Sequence, residues 1–103
     1  MPYDSSKDNT ITAILIRARA LIADEKNFCQ SGWGRDGKRC ALHAIFDAAA
    51  LPQQQSMLIK EEFPAVKLLT QLCKEQLTFY NDRYTHAEVL ALFDRGIVEA
   101  CKL

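Results

Sequence analysis

Ile11, Ile14, Leu15, Ala18, Leu21 and Ile22 recur at the spacing i, i+3, i+4, i+7, i+10 and i+11. That rhythm puts all six on one side of a helix of about 3.6 residues per turn and leaves Arg17, Arg19 and Asp24 mostly off it. An amphipathic helix over roughly residues 11–24, capped by Asn9 or Thr10, needs partners to cover its apolar stripe. The rest of the chain supplies them in the same period. Leu42, Ile45, Phe46 and Ala49 mark a second, alanine-rich helix that Leu51-Pro52 ends. Residues 53–62 read as a short helix, and Pro64 suits the first turn of another. Val66, Leu69, Leu72, Cys73 and Gln76 carry that stripe to about residue 78.

The last helix has the fullest local grammar. Thr85-His-Ala-Glu88 is a capping box in which Thr85 accepts from the Glu88 amide and Glu88 accepts from the Thr85 amide. Tyr84 and Val89 occupy the flanking staple positions. Val89, Leu92, Phe93, Gly96, Ile97 and Ala100 follow as the buried stripe. Gly96 inside a helix costs about 1 kcal/mol against alanine, so it implies close approach of another helix. Asp36-Gly37, between Trp33-Gly-Arg35 and Lys38-Arg-Cys40, favours the turn of a short β-hairpin. The expectation is a mainly α protein, a compact bundle of four to five helices with a short β-hairpin around residues 30–40. Residues 1–9 form a flexible arm and residues 10–103 a single helical domain.

Bulk properties narrow the function classes. The 103 residues carry 13 acidic and 13 basic side chains, and that balance does not suit a general nucleic-acid binder, which needs a basic surplus. Arg35, Lys38 and Arg39 are a local basic group that reads as a solvated loop. No apolar run reaches the roughly 18–20 residues of a membrane span, and the polar start Met1–Thr10 lacks a signal-peptide apolar segment. A cytoplasmic protein with reduced cysteines is expected, without a disulfide framework.

The segment 28–43 gathers most of the chemistry-bearing residue types. Cys29, Cys40, His43 and His86 are all zinc-competent, but there is no short-spaced cysteine pair and the fourth ligand is remote in sequence, so no metal or other cofactor is expected. A cysteine hydrolase or transferase kit is also present by type. Cys40 would be the nucleophile at a helix start near Lys38 and Arg39, with Gln30 as oxyanion donor. His43 or His86 would act as base, oriented by Asn81 or Asp82. The simpler reading makes Cys40 a small buried residue and Tyr80-Asn-Asp-Arg-Tyr-Thr85 a turn before the capped helix. Trp33, Arg35, Tyr80 and Tyr84 are candidate anchors for a protein partner.

Taken together, Ile14-Leu-Ile-Arg-Ala-Arg-Ala-Leu-Ile22, Phe28-Cys-Gln-Ser31, Arg35-Asp-Gly-Lys-Arg-Cys-Ala-Leu42, Tyr80-Asn-Asp82 and Thr85-His-Ala-Glu-Val-Leu90 resemble a family of small bacterial and phage proteins of unknown function. Its pattern looks like W-C-Q-G, R-D-x-x-G-x-x-C-C-A, W-N-D and T-x-E-E-V. The chain departs from it at Phe28, Ser31, Arg39, His43 and Tyr80. The resemblance implies a mainly α fold and a bacterial or mobile-element origin, and supplies no activity. The matching positions Cys29, Gln30, Arg35, Asp36, Cys40, Asn81 and Asp82 would converge, as a site or as a polar cluster that locks the hairpin to the last helix. A meeting of Cys29, Gln30 and Cys40 with Asn81-Asp82 within the core is favoured over one across a cleft. The function expected is a small soluble protein-binding or regulatory module. The alternative is the enzyme centred on Cys40, with Gln30, Asn81 and Asp82.

Overall fold

The computed structural model describes residues 10–30, 38–49 and 63–102. Among them are five α-helices: α1 (Ile11–Ile22), α2 (Ala41–Ala48), α3 (Pro64–Cys73), α4 (Leu77–Arg83) and α5 (His86–Cys101), with a 3-10 turn at Glu25–Asn27. Helix α1 is central, packing against α2 and α5, while α3 lies against α5 and α4 against α2. The stripes meet in one core in which Leu15, Ile45, Phe46, Leu69, Leu92 and Phe93 are fully buried. The mainly α bundle read from periodicity is therefore the observed architecture. No described helix is long and apolar enough to cross a membrane.

The helix ends follow local chemistry. Thr10 Oγ1 accepts from the Ala13 amide at 3.2 Å and starts α1. Pro64 sits in the first turn of α3, where its missing N–H costs nothing. The box at α5 is complete: Thr85 Oγ1 accepts from the Glu88 amide and Glu88 Oε1 accepts from the Thr85 amide, both at 3.2 Å. A Cβ on Gly96 would stand 2.5 Å from Leu69 Cδ2 and 3.2 Å from Leu15 Cδ1. Glycine there lets α5 approach both α3 and α1.

Two expectations change. The helix expected from Pro64 to about residue 78 ends at Cys73, because Lys74 turns left-handed at φ 61° and its amide closes back on Thr70. Cys73 Sγ then donates to the Glu75 carbonyl at 3.2 Å, and Arg95 Nη2 donates to the Leu72 carbonyl at 3.3 Å. The chain restarts as α4, so Tyr80-Asn-Asp82 is helical and not a turn. Leu77 and Asn81, one turn apart, form its buried face. Near the expected hairpin, the described bridge pairs Phe28 with Arg39 in parallel, whereas a hairpin is antiparallel. The hairpin tip, the N-terminal arm and the short helix at 53–62 lie outside the described residues.

Candidate functional site

Asn81 is the one buried polar side chain among the described residues, at 1% exposure. Its position on the inner face of α4 brings three segments together. Asn81 Oδ1 accepts from the Ala41 amide at 2.8 Å, which is the first turn of α2. Asn81 Nδ2 donates to the carbonyls of Cys29 and Gln30, both at 3.1 Å, and to Asp82 Oδ1 at 3.2 Å. A buried amide in helix α4 thus completes the polar groups of a helix start and of an extended strand. Such groups left unpaired cost about 1–3 kcal/mol each.

Cys40 sits at the same junction as the N-cap of α2. Its sulfur accepts from the His43 amide at 3.4 Å, the role a serine or aspartate usually fills. At 8% exposure, burial pushes the thiol above its ordinary value, against the opposing pull of the His43 amide, and neighbouring Cys29 and Asp82 add to the rise. A raised pKa keeps the sulfur protonated at neutral pH, opposite to what a nucleophile needs. His43 is directed elsewhere: its Nε2 stands 3.3 Å from Asp47 Oδ2, which also receives Arg39 Nε at 2.6 Å.

Above this junction opens a cleft of about 510 Å3 lined by Glu25, Phe28, Cys29, Gln30, Lys38, Thr85 and His86. Gln30 is exposed, and its Nε2 donates to the Tyr84 carbonyl at 2.6 Å, bracing the strand against the α4–α5 turn. His86 Nε2 meets the Ile22 carbonyl at 2.6 Å, and its ring packs on Phe28 at 5.0 Å between centroids. Among the described residues, no three His, Cys, Asp or Glu side chains gather as a metal site.

Along α4, the half-buried Tyr80 and Tyr84 stack with centroids 4.3 Å apart and planes 20° from parallel, and Tyr80 also packs against the core. The Arg83 guanidinium lies 5.8 Å from the Tyr84 ring centroid, and Phe79 is 56% exposed.

A family model covers residues 6–99 and with them every described helix except the end of α5. The chain belongs to DUF6197, a family of unknown function. No curated protein and no solved structure matches it. Within this DUF6197 member, Cys29, Gln30, Cys40, Asn81 and Asp82 lie at one junction; Asp36 lies outside the described residues. Only Asn81 and Cys40 are buried; Asp82 and Gln30 face solvent. Tyr80 and Tyr84 stack half-buried along α4, while Trp33 and Arg35 lie outside the described residues. Sequence reasoning missed Phe79, whose only signal was a large apolar residue off the Leu77–Asn81 face. It also missed Arg17, whose Nε and Nη2 donate to the Ala48 carbonyl at 3.1 and 2.7 Å. That contact closes the end of α2 from a position 31 residues away and leaves no local pattern.

Proposed function

We propose that this chain is a small protein-binding module of bacterial, phage or other mobile-element origin, working in the cytoplasm by engaging a larger protein. The binding face is the exposed Phe79 and Arg83 of α4, with the half-buried Tyr80 and Tyr84 at its border. The observation that carries the reading is an exposed Phe79 on a short helix whose length and cap also hold a stacked, half-buried tyrosine pair. Tyrosine and arginine dominate binding hot spots because they cover large areas with few rotatable bonds. Here stacking already orders the two rings, so less conformational entropy is lost on docking. Balanced net charge suits a partner surface recognised by shape and aromatic contact rather than by bulk electrostatics. The Cys40 enzyme reading has less support, because that sulfur is buried, held protonated and occupied as a helix cap.

The test uses paired baits. Wild-type protein, Phe79→Ser, Tyr84→Ala and a control on another face, Val98→Ser, are immobilised at equal density. A protein captured by wild type is then purified and titrated against all four. Phe79→Ser and Tyr84→Ala are expected to weaken binding at least tenfold, about 1.4 kcal/mol, with unchanged circular dichroism. Val98→Ser, on α5 and equally exposed at 56%, is expected to bind as wild type. Equal affinity of all four would sink the proposed face.

A further inference from the structure

Two backbone hydrogen bonds join the strand after the 3-10 turn to the segment leading into α2. The Arg39 amide donates to the Asn27 carbonyl at 2.8 Å, and the Cys29 amide donates to the Arg39 carbonyl at 3.1 Å. This is the slanted pattern of a parallel pair with Phe28 opposite Arg39. One residue further along both segments, the same register sets Cys29 opposite Cys40. Parallel neighbours lie about 4.8 Å apart and opposed residues direct their side chains to one face, while disulfides form at Cα separations of about 4.4–6.8 Å.

Asn81 ends the direct pairing just past the two cysteines and still holds both segments, its amide standing where the next ladder bond, Ala41 N–H to the Cys29 carbonyl, would be. One amide group accepts from the peptide unit that follows Cys40, at Ala41 N, and donates to the one that follows Cys29, at the Cys29 carbonyl. Both cysteine backbones are therefore clamped from the same side by the same side chain. Electrostatics agree: beyond the larger effect of burial, the Cys29 sulfur is close enough to push the Cys40 thiol further up. Neither cysteine is in a disulfide.

We propose that Cys29 and Cys40 form an exchangeable dithiol, oxidised to an intramolecular disulfide by low-molecular-weight disulfides that enter the cleft beside Cys29. The order of events follows from access. Cys29 is half-buried and lines the cleft, whereas Cys40 is buried beneath it. The Cys29 thiolate attacks one sulfur of the incoming disulfide; a new S–S bond forms, the old one breaks, and the departing thiolate takes up the proton that Cys29 released. Cys40, whose reluctant ionisation is offset by its fixed place beside the mixed disulfide, then attacks the Cys29 sulfur as a thiolate, and the expelled second small thiolate takes up the proton Cys40 released. In sum the protein loses two electrons and two protons, and the small disulfide gains both as two thiols. Because Cys40 caps α2 through its sulfur, the disulfide also alters the start of α2. This site is independent of the proposed binding face on α4.

The experiment uses a Cys73→Ser/Cys101→Ser background, in which Cys29 and Cys40 are the only thiols, equilibrated in reduced and oxidised glutathione. The expected product has lost two hydrogens by intact mass and yields a linked peptide containing both cysteines after digestion. Adding Cys40→Ser should halt the reaction at one glutathione adduct on Cys29. Adding Cys29→Ser should leave the folded protein without disulfide or adduct. Persistence of two thiols in fully oxidised buffer would overturn the proposal, as would Cys40 modification in Cys29→Ser at the parent rate. A second measurement does not require oxidation. Phenylarsine oxide grips two adjacent sulfurs at once, so either serine substitution is expected to weaken its binding at least a hundredfold in a variant shown to be folded by circular dichroism. Unchanged binding would also overturn the pair.

Discussion

The starts of α2 and α5 satisfy the same kind of exposed amide by opposite means. At α5, Thr85 and Glu88 exchange hydrogen bonds across three residues, and the whole device lies within four consecutive positions. At α2, the cap is a thiol and the first amide is satisfied by Asn81, 40 residues away on α4. A local cap forms whenever its helix forms and serves one helix. A distant cap forms only when the tertiary structure is assembled, and it ties that helix to the elements around it. Loss of the second should therefore cost more, because it strands three polar groups on two segments at once.

The largest expected effect tests that difference directly. Asn81→Ala removes the acceptor for the Ala41 amide and the donor for the Cys29 and Gln30 carbonyls. Stranding buried groups at about 1–3 kcal/mol each, partly offset by water reaching the exposed Gln30 side, predicts a loss of about 2–4 kcal/mol. On a domain of this size that lowers Tm by roughly 10 °C or more. Thr85→Ala is expected to cost about 1 kcal/mol, the ordinary value of an exposed N-cap. Urea unfolding of both variants measures the ratio. If Thr85→Ala costs as much as Asn81→Ala, the contrast between local and assembled caps fails.

The same contrast explains what could be read from the chain in advance. The stripes at Ile11–Ile22, Leu42–Ala49 and Val89–Ala100 were legible because a helix core face is a local period. The capping box was legible because its partners lie three residues apart. The break at Lys74 was not, since a lysine in the left-handed region carries no sequence signature and opposes the usual preference for glycine. Reading Tyr80-Asn-Asp82 as a turn followed from the same miss: asparagine and aspartate favour turns by local bonding, but Asn81 spends its amide on distant backbone. Cys29, Gln30, Cys40, Asn81 and Asp82 meet at one junction, and Trp33, Arg35 and Asp36 lie outside the described residues. Which of them would be buried depended on packing that no spacing encodes.

Cys40 supplies the finest distinction between the two caps, because its sulfur titrates. Its pKa in the folded protein stands above the ordinary thiol value of 9.0, chiefly through burial. Below that value both folded and unfolded chains hold the proton, and the thiol contributes no pH dependence. As pH rises past it, the unfolded chain ionises first while the folded one stays protonated, so stability falls. Cys73 and Tyr80 are shifted the same way, also chiefly by burial, and add to the slope. Urea midpoints followed from neutral pH upward should therefore decline above about pH 9. Cys40→Ala should flatten part of that decline, and Thr85→Ala should leave it as steep as in wild type. A Cys40→Ala slope equal to wild type would mean that the α2 cap ionises as freely as an exposed thiol, and the sealed character ascribed to that junction would be wrong.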